Sequence, residues 1–194
     1  MKYGSNKSKY CYPDTDILIN KLDIHDDELI QNIESDYSHI RLLELDAEPL
    51  TGNFDLKHLQ NIHFYIFQDI YDSAGKIREE DIIKDTTRFA NFKFIVSCSE
   101  KLLDQLKSEN FLVGTDVVTF SQRVAFYMSE LNILHPFREG NGRAIREFIR
   151  CLALNANFIV NWDSLTKEEL LEASIKSVLN PEDLFRCILK TLTP

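Results

Sequence analysis

Apolar residues recur at intervals of three and four along most of this chain, and this helical periodicity constrains the fold more than any other feature. Gly and Pro are scarce, with 6 and 5 copies in 194 residues, which argues against a β-sandwich or barrel with its many tight turns. The sequence therefore predicts an all-α fold of about eight helices. Their approximate ranges are 17–22, 26–45, 56–74, 92–107, 116–134, 141–155, 167–177 and 181–192.

Residues 77–89 interrupt the helical pattern. Ile77, Ile82 and Ile83 stand among charged residues, and the run from Lys84 to Thr87 is typical of a turn. We expect one short β-hairpin here.

The chain contains no internal repeat, low-complexity tract or Pro-rich linker, so a single domain over 1–194 is expected. Within it we distinguish an N-terminal arm and helices over 1–54, a core over 55–163 and C-terminal helices over 164–194.

The net charge of −9 argues against direct nucleic-acid binding, because a diffuse negative field repels phosphate backbones. The N-terminus lacks the apolar run of a signal peptide, and no stretch approaches the ~20 apolar residues of a membrane span. The four cysteines are far apart and form no CxxC pair, so we expect reduced thiols in a cytoplasmic protein with no membrane contact.

The segment 135–146, His-Pro-Phe-Arg-Glu-Gly-Asn-Gly-Arg-Ala-Ile-Arg, carries the chemistry. Gly140, Asn141 and Gly142 stand directly before a helical pattern. Glycine lets backbone N–H groups turn toward a ligand, and the first N–H groups of a helix have no internal partner. This turn is therefore a candidate anion site, with phosphate as its usual occupant.

Two arginines lie close to that turn. At 100° per residue, Arg143, Arg146 and Arg150 fall within about 60° of one another, opposite the apolar face of the helix. Arg143 and Arg146 lie within one turn of the glycines, and guanidinium groups bind phosphates bidentately.

Glu139 and His135 complete the set. A carboxylate beside a polyphosphate commonly binds Mg²⁺, and a histidine can take a proton from an attacking hydroxyl. Each residue alone has a simpler interpretation as a loop or surface residue, but their conjunction within twelve residues indicates phosphoryl or nucleotidyl transfer.

At every defined position the segment resembles the signature of the Fic (filamentation induced by cAMP) family, HxFx[D/E]GNGRxxR, and the resemblance extends from about Tyr10 to Leu192. It implies a Fic-type helical core and transfer of AMP from ATP to a Tyr, Thr or Ser hydroxyl of a target protein. It also implies the site roles, which are His135 as base, Glu139 as Mg²⁺ ligand, Gly140, Asn141 and Gly142 as anion hole, and Arg143 and Arg146 as contacts of the β- and γ-phosphates.

In the family the hairpin is a flap that binds an extended target segment. The tip would be formed here by Lys84, Asp85, Thr86 and Thr87, where family members often have small residues. The related Doc kinases have Lys in place of Gly142, so the glycine favours AMP transfer over phosphate transfer. Transfer of another phosphate-containing moiety, such as UMP or phosphocholine, stays an alternative.

Many Fic proteins carry an inhibitory [S/T]xxxE[G/N] motif. The only SxxxE here runs from Ser164 to Glu168 and is followed by Glu169 instead of Gly or Asn. The chain thus resembles the class that a small antitoxin inhibits in trans through a Glu directed at Arg146. This implies a cell filamentation protein that is the toxin of a toxin–antitoxin pair, with DNA gyrase or topoisomerase IV as candidate targets. The competing hypothesis is a Fic-fold module that binds a nucleotide or a partner protein without turnover.

Overall fold

The computed structural model describes residues 8–84 and 87–193, and its described part is mostly helical. It has seven α-helices: α1 (Asp27–Ala47), α2 (Leu56–Phe67), α3 (Ile95–Ser108), α4 (Val117–Leu134), α5 (Asn141–Asn155), α6 (Lys167–Lys176) and α7 (Glu182–Thr191). Two two-stranded antiparallel sheets are formed by β1 (Ile83–Lys84) with β2 (Thr87–Arg88), and by β3 (Ile159–Val160) with β4 (Leu192–Thr193). The predicted helical fold with one hairpin between residues 77 and 89 is confirmed.

The eighth predicted helix, around residues 17–22, is wrong. An isolated antiparallel bridge joins Leu18 to Cys11, and a turn follows in which the Asp23 N–H donates to the Asn20 carbonyl. The Asn20 side chain donates to the carbonyls of Leu18 and Ile24 and accepts from the Ile24 N–H. Asparagine side chains compete in this way for the backbone groups that a helix would use.

The core forms where α2, α4 and α5 meet. Helix α2 packs against α5, and α4 packs against both α5 and α7. Leu59, Ile62, Phe148 and Leu152 are fully buried at this centre, and each such side chain stabilises the fold by about 1.5–3 kcal/mol. The packing holds the N-terminal end of α5 in a fixed position next to the C-terminal end of α4.

Side chains satisfy the first N–H groups of several helices. Asp26 caps α1, Asp55 caps α2, Asp116 caps α4, and Thr166 forms a capping box with Glu169 at the start of α6. Helices α3, α5 and α7 begin without a side-chain cap, and the N-cap residue of α5 is Gly140. The first N–H groups of α5 are therefore not occupied by a capping side chain.

The second sheet, β3 with β4, was not predicted. It pairs Ile159 with Thr193 and Val160 with Leu192, which ties the segment after α7 to the segment after α5. Strands of two residues are too short to show the alternating pattern that identifies a strand in a sequence.

No helix in the described ranges has the length and apolar content needed to cross a bilayer.

Candidate active site

A cavity of about 470 Å³ opens at the N-terminal end of α5. Its volume lies in the usual range of small-molecule sites, ~300–1,000 Å³. The lining includes every residue that the sequence predicted for the chemistry: His135, Glu139, Gly140, Asn141, Gly142, Arg143 and Arg146. The structure thus brings these seven residues together, while α6 supplies the opposite wall.

Gly140 shapes the entrance of α5. Its φ of +76° is left-handed, and an added Cβ would lie 2.2 Å from Cζ of Phe67. Only glycine fits this position, because both the backbone conformation and the space exclude a side chain. Within residues 8–84 and 87–193, the N–H groups of Asn141 and Gly142 have no acceptor, as expected of a helix end that can bind an anion.

The side chain of Asn141 has a different task from the one its position in the glycine turn indicated. It accepts a hydrogen bond from the Phe137 N–H at 2.9 Å and donates one to the Phe137 carbonyl at 2.8 Å. The amide is buried, so it braces the loop before α5, and only its backbone N–H is available to an anion.

Arg143 is tied to α1. Its guanidinium donates to the Ser38 hydroxyl at 2.7 Å and forms an ion pair with Glu34, a carboxylate that is only 4% exposed. The guanidinium also lies 4.7 Å from the centre of the Phe67 ring. Helical periodicity predicted the face of α5 that carries Arg143 but not this partner from α1.

Arg146 has no comparable partner. It makes no hydrogen bond or ion pair with any residue in the described ranges, and it lines the cavity. Burial, and then the charge of Arg143, lower its pKa from the ordinary arginine value. A largely buried guanidinium with no carboxylate bonded to it among the described residues favours an anionic ligand.

Arg150, on the same face, does not share this environment. It forms an ion pair with Glu147 at 2.8 Å and donates to the Leu45 carbonyl. It does not line the cavity.

Glu139 lies beside the glycine turn, with Oε1 accepting a hydrogen bond from the Gly140 N–H at 3.1 Å. No cluster of three or more His, Cys, Asp or Glu side chains suited to a metal exists among the residues described. One carboxylate completed by the phosphate oxygens of a substrate is nevertheless a donor set that suits Mg²⁺.

His135 ends α4 with a left-handed backbone, at φ 46° and ψ 62°. Its Nδ1 lies 3.2 Å from the Asn132 carbonyl oxygen, which can only accept, so the hydrogen is on Nδ1 and the basic lone pair is on Nε2. Burial lowers the pKa of His135 to about 3, and the nearby positive charges of Arg78 and Lys84 add to that effect. The imidazole is therefore neutral at pH 7, the state that a proton acceptor requires.

His63, on the buried face of α2, supports the loop before α5. Its ring stacks on Phe137 with centroids 3.8 Å apart, its Nδ1 accepts from the Gly75 N–H, and its Nε2 donates to the Glu139 carbonyl. Burial lowers the pKa of His63 to about 3, so it too is neutral.

The hairpin borders the same region. Lys84 lines the main cavity, and Lys84 and Thr87 line a second cleft of about 210 Å³ that also contacts His135. The other two residues of the predicted tip, Asp85 and Thr86, lie outside the described residues. The second cleft has apolar walls from Phe89, directly after β2, and from Leu171 and Ile175 of α6.

The sequence matches the profile of the Fic/DOC family over residues 53–153. It is 41% identical to the protein adenylyltransferase VbhT of Bartonella schoenbuchensis over 97% of this chain, and the chain spans 40% of that relative's length. It is also 35% identical to the probable protein adenylyltransferase Fic of Escherichia coli K12, over 89% of this chain and 86% of the relative.

Solved structures show the same fold. The N-terminal Fic domain of a VirB-translocated Bep effector protein from Bartonella quintana, with bound ADP, superposes with a TM-score of 0.88 at 26% identity and covers 95% of this chain and 94% of its own. BepC of Bartonella tribocorum, with bound AMPPNP, gives 0.87 at 25% identity, covering 95% and 96%.

Proposed function

The chain belongs to the Fic/DOC family, and on that premise we propose that it is a protein adenylyltransferase that moves AMP from ATP to a Tyr, Thr or Ser hydroxyl of a target protein. The observation that carries the proposal is the convergence of a neutral imidazole, a carboxylate, an open helix N-terminus and an unneutralised guanidinium on one cavity. Relatives named as adenylyltransferases, and Fic domains with bound ADP or AMPPNP, support the nucleotide as substrate.

The reaction needs one group that accepts a proton and a set of groups that bind the phosphates. His135 takes the proton of the target hydroxyl on Nε2, the hydroxyl oxygen attacks the α-phosphorus, the bond between the α- and β-phosphates breaks, and pyrophosphate leaves. The negative charge of a bound triphosphate favours the imidazolium that forms, which offsets the low basicity of a buried histidine.

The N–H groups at the start of α5 and the Arg146 guanidinium hold the phosphates. Arg143 lies beside them, and Glu34 partly balances its charge. We therefore expect Arg143 to contribute less than Arg146 to phosphate binding. Glu139 would hold Mg²⁺, which supplies charge neutralisation for the phosphate oxygens.

Labelled ATP tests the moiety that is transferred. The protein is incubated with Mg²⁺, a bacterial lysate and ATP labelled at either the α- or the γ-phosphate, and His135→Ala serves as control. AMP transfer labels lysate proteins from α-labelled ATP only, and the label disappears with His135→Ala. Label from γ-labelled ATP would indicate a kinase, and ATP binding by calorimetry without any transfer would favour the binding module.

Arg146 and Arg150, on the same face of α5, give a matched comparison. Arg146→Ala should weaken ATP binding at least tenfold, because a charge-assisted contact to phosphate contributes ~1.5–3 kcal/mol. Arg150→Ala should change binding less, since Arg150 is paired with Glu147 outside the cavity. Equal losses would contradict the assignment of Arg146 to the phosphates.

We propose further that the protein acts in the cytoplasm as a toxin that causes cell filamentation, and that a small antitoxin inhibits it in trans. Two observations support this: the sequence has no complete [S/T]xxxE[G/N] motif, and Arg146 makes no ion pair in the described part of the chain. A carboxylate from a partner helix would fit beside Arg146.

DNA gyrase and topoisomerase IV are the candidate targets. Brief expression followed by mass spectrometry of both proteins should find an added AMP on a hydroxyl residue in cells with the wild-type protein and none with His135→Ala. Unmodified topoisomerases together with an adenylylated third protein would reject these targets while keeping the activity.

A further inference from the structure

Arg78 is a buried arginine that the sequence presents only as one charge in the predicted hairpin. It is 1% exposed, and its guanidinium donates to backbone carbonyls from two separate parts of the chain. Nε donates to His135 at 2.8 Å and Nη2 donates to Leu134 at 3.2 Å, both at the end of α4. Nη2 also donates to Ala90 at 2.6 Å, and Nη1 donates to Glu80 at 2.6 Å, on the two arms of the hairpin.

Backbone hydrogen bonds reinforce this junction. The N–H of Arg78 donates to the Pro136 carbonyl, and the N–H of Ala90 donates to the Ile133 carbonyl. Both arms of the hairpin are thus attached to residues within two positions of His135. A rigid cation at the C-terminal end of α4 also suits the negative end of the helix dipole.

The same junction fixes the imidazole. A non-glycine residue in the left-handed region costs roughly 1–2 kcal/mol and persists only where its surroundings impose it. The His135 carbonyl, held by Arg78, is one such restraint. The ring itself stacks on Phe89 of the hairpin, with centroids 3.8 Å apart and planes 19° from parallel.

We propose that Arg78 is a positioning residue that, with the Phe89 ring, joins the hairpin to His135, so that the segment that receives the target and the group that accepts its proton move as one body. The inference rests on the proposed function, since a hydroxyl must be brought to His135 by something that binds the target. It predicts that loosening the junction slows transfer without weakening the nucleotide site, because Arg78 does not line the ATP cavity.

Two variants of Arg78 separate its charge from its shape. Arg78→Lys keeps the charge but loses the planar fork, and Arg78→Met keeps the length without either. We expect AMP transfer from α-labelled ATP to lysate proteins to fall in the order wild type, Lys, Met, with at least a tenfold loss for Met. The dissociation constant for ATP should stay within about twofold.

Hydrogen exchange gives a readout that needs no target. Amide protection of residues 78–90 should fall at least tenfold in Arg78→Lys, while α2 and α5 keep theirs. Should Arg78→Met fail to fold, Phe89→Leu removes the ring stack alone and should lower transfer at least fivefold with the same ATP affinity.

Arg150→Lys is the matched control. Arg150 also donates to a backbone carbonyl, that of Leu45, and it is largely buried on α5 away from the hairpin. Arg150→Lys should lower the free energy of unfolding. It should leave the amide exchange of the hairpin and the rate of AMP transfer unchanged. Wild-type exchange and transfer in both Arg78→Lys and Phe89→Leu would overturn the inference. Absence of any transfer by the wild-type protein would instead reject the adenylyltransferase function, and the exchange result would still test the junction.

Discussion

Replacing Gly140 by alanine tests how the entrance of α5 is built. The added Cβ would lie 2.2 and 2.3 Å from two carbons of the Phe67 ring, more than an ångström short of the ~3.5 Å at which carbon atoms make contact. The ring cannot easily withdraw. It is fully buried, and two groups pack against it. The centre of the Phe67 ring lies 4.7 Å from the centre of the His63 ring and 4.7 Å from the Arg143 guanidinium.

Two costs add in this variant. A side chain in the left-handed region costs roughly 1–2 kcal/mol, and overpacking a well-filled core costs about 1–3 kcal/mol. We therefore expect Gly140→Ala to lose about 2–5 kcal/mol of the free energy of unfolding. If the Phe67 ring moves to relieve the clash with the added Cβ, it also disturbs Arg143. ATP binding should therefore weaken as well.

Gly114→Ala is the control, because Gly114 has a similar φ of +83° with nothing within 4 Å of an added Cβ. It should show the backbone cost of roughly 1–2 kcal/mol alone and leave ATP binding intact. Urea denaturation and calorimetry measure the two properties. Equal stability losses in the two variants would refute the steric part of the reasoning, and unchanged ATP affinity in Gly140→Ala would refute its link to the anion site.

Three further predictions concern contacts around the site and the start of α6. Burial holds the pKa of His63 at about 3, below ~6.5 in the unfolded chain, so the free energy of unfolding should fall as pH drops from 6.5 toward 3, by about 1.4 kcal/mol per pH unit for this group. His63→Gln should reduce the pH slope by about that amount in urea titrations between pH 6 and 4, and an unchanged slope would contradict the buried neutral state. Glu34→Gln should cost about 3 kcal/mol because it leaves Arg143 without its buried partner, and a loss below ~1 kcal/mol would mean that the pair behaves like a surface ion pair. Thr166→Ala should remove the capping box and cost about 1 kcal/mol in thermal or urea denaturation, whereas wild-type stability would show that the cap is dispensable.

Local sequence patterns predicted the helices and the clustering of residues 135–146 at one site, because both depend on neighbours in the sequence. The spacing of apolar residues in α5 places Ile145 and Phe148 in the core and leaves the arginines on the other face, as the structure has them. The same spacing could not distinguish Arg143 from Arg146, since the difference comes from Glu34, which lies 109 residues away from Arg143 in the sequence.

Long-range contacts explain most of what the sequence did not reveal. Arg78 reads as a surface charge until α4 brings the carbonyls of Leu134 and His135 to it, and His63 reads as a core residue until the loop before α5 stacks on it. The false helix near residue 20 has the opposite origin. There, the Asn20 side chain forms hydrogen bonds with backbone groups up to four residues away. The spacing of apolar residues carries no information about such a bond.

The attachment of the hairpin has a practical consequence for engineering. Its arms are fastened through main-chain carbonyls, and Ile82 adds a buried side chain at the base. Beyond Ile82 the hairpin continues as β1 and β2, which pair Ile83 with Arg88 and Lys84 with Thr87. Residues of β1 and β2 can therefore be varied while Arg78, Ile82 and Ala90 keep the hairpin attached beside His135, but a change at Lys84 also alters the cavity that this side chain lines.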